Sequence, residues 1–95
     1  MKCERVVFSG HAIQRMFQRG VGKDAVIAVI SGGETIADYP DDNPYPSRLL
    51  LGLVEGRPVH VVVAWDAGTE TCIIVTAYEP RAEQWEPGFR KRRDE

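Results

Sequence analysis

The sequence has little from which to build a covalent or metal-held scaffold. Its 95 residues include only two cysteines, Cys3 and Cys72, and two histidines, His11 and His60. These four residues form no zinc-binding cluster, and the cysteines are too far apart in sequence to be a redox pair. With no sign of export, both thiols are expected to be reduced and the protein cytoplasmic. Long apolar runs are missing as well. The longest, Leu49–Leu51 continued through Gly52 to Val54, is far too short to cross a membrane. Met1-Lys2-Cys3-Glu4-Arg5 leads into only three apolar residues, so no signal peptide is expected. Repeats, low-complexity tracts, glycine-rich phosphate loops and nucleophile elbows are absent.

Neither sign of charge dominates. Twelve Lys and Arg against fourteen Asp and Glu give a net charge of −2, which argues against a broad nucleic-acid-binding surface. The distribution is uneven, however. Lys2, Arg5, Arg15, Arg19 and Lys23 face only Glu4 in the opening stretch; Glu34, Asp38, Asp41 and Asp42 follow without a cation; Arg90-Lys91-Arg92-Arg93 closes the chain. This is either a local phosphate site on a mildly acidic protein or the charge balance of a solvated surface.

What is present suits one small globular domain over residues 1–95. Hydrophobic residues make up 43% and charged residues 27%, and a chain this long buries roughly 60–68% of its unfolded surface. Val6-Val7-Phe8 reads as a short strand or an extended lead-in. Ser9 is a good N-cap for a helix over His11–Arg19, with Gly20 as its C-terminal stop. Ala12, Ile13, Met16 and Phe17 form its apolar stripe, and His11, Arg15 and Arg19 a second stripe at the border. A second helix is expected from about Lys23 to Ile30, halted by Ser31-Gly32-Gly33.

Strands are expected at Glu34–Tyr39, Arg48–Glu55, Val59–Asp66 and Thr71–Glu79, with a stiff loop at Pro40–Pro46 and hairpin connections at 55–58 and 67–70. The fold class is therefore α+β, two N-terminal helices followed by a four-stranded, mainly antiparallel sheet. Those hairpins set Leu53 opposite His60 and His60 opposite Ala77. The helices are expected on the His60 face, with Leu49, Leu51, Val62, Ala64, Ile73 and Val75. The other face, including Val61, Val63, Ile74 and Tyr78, is also apolar and needs a cover: a curled sheet, the segment with Trp85 and Phe89, or a partner. Arg81–Trp85 suits a helical turn, and residues 90–95 a frayed charged tail.

The wording of the chain is distinctive. Ser9-x-His11-Ala12-x-x-Arg15-Met16-x-x-Arg19-Gly20 resembles the opening of domain-of-unknown-function family 4258. Gly33-Glu34, Tyr39-Pro40, Pro44-Tyr45-Pro46-Ser47-Arg48, Gly56-Arg57-Pro58-x-His60-Val61, Thr76-Ala77-Tyr78-Glu79-Pro80 and Trp85 extend the likeness. Members of that family look like the toxin partners of zinc-finger, helix-turn-helix antitoxins. The resemblance implies a compact RelE-like, ParE-like or MqsR-like domain, a class in which many members cleave messenger RNA without a metal.

Metal-free RNA cleavage needs a base for the 2′-hydroxyl, an acid for the leaving oxygen and cations for the phosphorane. His11, in a first helical turn whose free N–H groups attract phosphate, reads as a base beside an anion site, or else as a capping-region histidine bonded to the sheet or Tyr39. His60 interrupts an apolar strand, so it is either the catalytic partner or a core ring satisfied by a carboxylate or carbonyl. If the first helix crosses the sheet end that carries His60, the two rings meet. Arg15, Arg19 and Arg48 are the candidate phosphate ligands, each with nearby acids as alternative partners. Tyr78 and Tyr39 can stack on a base or donate a hydrogen bond, or can be purely structural. Glu79 can orient His60 or pair with an arginine. His11, His60, Asp38 and Asp41 lack ligand spacing, so neither a metal nor a cofactor is expected.

The expected function is a toxin-like, metal-independent endoribonuclease acting on RNA. The alternative is a non-enzymatic module, away from any membrane, that docks an antitoxin-type protein or a copy of itself through its apolar sheet face.

Overall fold

The computed structural model describes residues 1–94. In chain order it contains β1 (Arg5–Phe8), α1 (Gly10–Arg19), α2 (Lys23–Gly32), β2 (Glu34–Tyr39), β3 (Ser47–Val54), β4 (Arg57–Asp66) and β5 (Thr71–Tyr78). The α1 boundaries follow from its caps. Ser9 is extended and its Oγ accepts the Ala12 N–H at 3.0 Å, while Gly20 takes a left-handed φ of 70° and donates to the Met16 and Phe17 carbonyls. Ala12 and Met16 are buried, whereas Ile13 and Phe17 of the expected stripe stay exposed.

The sheet has five strands, in the order β1-β5-β4-β3-β2. The expectation of four strands, all after the helices, is corrected here. β1 precedes α1 and lies parallel to β5, Arg5 opposite Thr71. A four-residue strand whose partner lies so far along the chain carries no local pairing signal. α1 then packs against β5.

Two details of register also differ. The β3–β4 connection is a two-residue turn in which Glu55 and Gly56 both have positive φ, 52° and 78°, the backbone of a type I′ hairpin. It sets Leu51, not Leu53, opposite His60. The β4–β5 hairpin keeps the expected pairing from Asp66↔Thr71 to Val63↔Ile74, but beyond it Val62 pairs with Thr76. Val75 is thus an extra residue, a β-bulge, and it turns Tyr78 rather than Ala77 to face His60.

The helices cover the face opposite to the expected one. Ala12, Met16, Val26 and Val29 pack with Leu50, Val61, Val63, Ile74 and Ala77 in a single core. Gly52 permits the close seating of α2, since a Cβ there would lie 2.9 Å from Val29 Cγ2. His60 points away from this core and is covered by the segment after β5.

That segment, residues 80–93, forms a strap rather than ending in a frayed tail. Gln84 and Trp85 donate to the Arg81 carbonyl, making the expected turn; Glu86 donates to Lys91 and Arg93 to Gln84. Trp85 is buried. Arg90 Nε donates to Glu34 at 3.0 Å. Glu95 lies outside the described residues. The expectation of reduced thiols is also corrected: Cys3 and Cys72 form a disulfide, their Cα atoms 5.3 Å apart. The β1–β5 pairing, which puts Val6 opposite Cys72, is what brings them together. No helix among the described residues is long and apolar enough to cross a membrane.

Candidate functional site

His60 is fully buried between the sheet and the strap. Its Nε2 lies 2.8 Å from the Phe89 carbonyl and its Nδ1 3.3 Å from the Tyr78 hydroxyl. A carbonyl only accepts, so Nε2 carries the proton, and the bare Nδ1 accepts from Tyr78. Trp85 meets the imidazole edge-on, ring centroids 4.4 Å apart. Burial pushes the imidazole pKa below its ordinary value against the opposing pull of the Phe89 carbonyl. It pushes the Tyr78 hydroxyl up, with Arg92 and Arg19 acting the other way. Both groups are therefore neutral near pH 7, and every polar atom of the pair is matched.

Tyr78 links this buried network to an open cleft of about 630 Å³ at the end of β5. One wall is the C-terminus of α1, where the Arg19 guanidinium lies 5.6 Å from the centre of the Tyr78 ring. The other is the strap, where the Arg92 guanidinium lies 5.5 Å from the centre of the Trp85 ring. Arg81, Gln18, Gln84, Glu79 and Pro80 complete the lining. A guanidinium stacked on a ring is held in place while its N–H edge stays free to fork onto an anion.

The arginines of this cleft differ from their neighbours. Arg48 pairs with Asp38 at 3.6 Å, Arg57 with Glu79 at 3.9 Å and Arg90 with Glu34. Arg19, Arg81 and Arg92 have no carboxylate within ion-pair distance among the described residues. The cleft therefore offers three uncommitted guanidinium groups beside an aromatic floor and one carboxylate, which can hold a phosphate and stack a planar ring.

Of the residues singled out from sequence, Tyr78, Arg19 and His60 come together. His11 does not join them. It is exposed in the first turn of α1, eight residues or about 12 Å of helix axis from Arg19, on a helix that covers the sheet face opposite to the His60 ring. Arg15 is exposed on the same stripe, between the two. Arg48 sits at the far end of β3, committed to Asp38. Arg81 and Arg92 were missed, because Arg81 reads only as the start of a helical turn and Arg92 as part of a solvated tail. The available signal was the interleaving of Arg81, Trp85, Phe89 and Arg92, cations spaced among aromatic rings. Among the described residues no three potential metal ligands converge.

Residues 8–79 match the family model of a domain of unknown function, DUF4258. No curated protein and no solved structure matches the chain. The matched segment carries Arg19, Tyr78, Glu79 and both helices, while Arg81, Trp85 and Arg92 of the strap lie beyond it. With most of its length covered, the chain belongs to the DUF4258 family.

Proposed function

We propose that the protein binds single-stranded RNA in the Arg19–Tyr78–Arg92 cleft and cleaves it without a metal, as a toxin-like endoribonuclease. The observation that carries this reading is the trio of unpaired arginines that line one cleft, two of them stacked on aromatic rings. Arg19 and Arg92 grip the scissile phosphate from opposite walls, and Tyr78 stacks a base. Glu79 takes the 2′-hydroxyl proton. The 2′-oxygen then bonds to phosphorus as the bond to the 5′-oxygen breaks, and that oxygen takes a proton from water in the open cleft. His60 acts as a positioning residue through Tyr78, and His11 lies outside the reacting centre.

RNA cleavage in excess EDTA tests this. Wild type should cut, Arg48→Ala should cut as well as wild type, and Arg19→Ala and Glu79→Gln should each lose about 10²-fold or more. Binding without cleavage by wild type would reduce the function to RNA binding, and neither binding nor cleavage would remove it.

One observation favours a second role. Ile13 and Phe17, one turn apart on α1, are 43% and 87% exposed. This pair, rather than either covered sheet face, is where an antitoxin-type protein or a second copy would dock. Phe17→Ser should weaken any concentration-dependent association seen by sedimentation while leaving the cleft intact.

A further inference from the structure

Resting on that reading, we propose that the bound strand does not end in the cleft but continues along α1, with Arg15 as the next phosphate ligand beyond Arg19. Arg15 and Arg19 are one turn apart on the same side of α1, separated by about 6 Å along the axis. That spacing suits successive phosphates of an extended single strand. Both side chains are exposed, and neither has an ion-pair partner among the described residues.

The surroundings point the same way. Helix α1 contains no acidic residue, so nothing on its own surface repels the strand. Gln14 and Gln18, next to the basic stripe on the exposed side of the helix, offer amides to base edges. Elsewhere Arg48, Arg57 and Arg90 are each occupied by a carboxylate. Uncommitted positive charge thus runs from Arg81 and Arg92 on the strap, past Tyr78, through Arg19 to Arg15. This is a narrow track on a protein of net charge −2, and it needs no broad basic face.

The test is fluorescence anisotropy of labelled oligouridylate over a salt series, using the full chain. Single-strand binding loses about 0.7 in the slope of log K against log salt for each phosphate contact, so four arginines predict a slope of about −2.8. Arg15→Ala, an exposed change that leaves the fold intact, should flatten the slope for a decanucleotide by about 0.7. It should leave dinucleotide binding, confined to the cleft, unchanged. Arg92→Ala should weaken both. A wild-type slope in Arg15→Ala, with Arg19→Ala and Arg92→Ala flattened, would overturn the track while the cleft reading stands. No salt-dependent RNA binding by wild type would remove both. Equal slopes on oligothymidylate would support the track and assign its ligand as a single strand of either sugar.

Discussion

His60 shows how one side chain is assigned by its surroundings rather than by its type. Both ring nitrogens are engaged, by Tyr78 and by the Phe89 carbonyl, and burial holds its pKa below the ordinary 6.5. The unfolded chain therefore binds a proton near pH 6.5 that the folded chain refuses. Stability is fully present above that pH and falls as the pH drops toward the folded-state pKa. Urea midpoints measured at pH 7 and pH 5 should show this loss, and His60→Gln should show a smaller one. Tyr78→Phe removes the donor to Nδ1 and should lower stability by about 1–3 kcal/mol, read as a shift in the same midpoint. From sequence, His11 and His60 carry equal weight as titratable rings. The choice of a carbonyl partner for His60 was among the open alternatives. What the chain does not announce is the neighbour the ring meets, because a single inserted residue, Val75, decides which β5 side chain faces it.

Among the elements, the helices were legible and the sheet edges were not. Ser9, Gly20 and Gly33 mark the ends of α1 and α2 by chemistry that acts within a turn. β1 depends on a partner far along the chain, and the bulge and the tight Glu55-Gly56 turn shift register without changing the apolar pattern. The choice of covered face turns on Gly52, where missing side-chain volume admits Val29 of α2. Gly52→Ala should therefore force α2 outward and lower stability by about 1–3 kcal/mol, measured by denaturant unfolding. Gly56→Ala has open space but a φ of 78°, so its cost is backbone strain of about 1 kcal/mol.

For the molecule as a whole, the disulfide links the first strand region to the last strand across a separation of 69 residues. Loop-closure entropy for a span of that size gives about 4 kcal/mol. Reduction, or Cys3→Ser, should lower the unfolding free energy by about 2–4 kcal/mol, seen as parallel shifts in reduced wild type and in the variant. The expectation of free thiols failed because spacing alone says nothing about two cysteines that only a parallel edge pairing can bring together. Likewise the cleft was half legible: its α1 and β5 wall comes from residues already prominent in the sequence, and its strap wall from a tail that reads as solvent-exposed charge. The order of synthesis gives the strap a further meaning. Residues 80–93 follow Tyr78 out of the ribosome over about 1–3 s at ordinary elongation rates. During that interval Arg19 and Tyr78 stand without Arg92 opposite, and the His60 ring lacks its Phe89 carbonyl. The pairing of His60 and the second wall of the cleft are thus completed only after every strand of the sheet has been made.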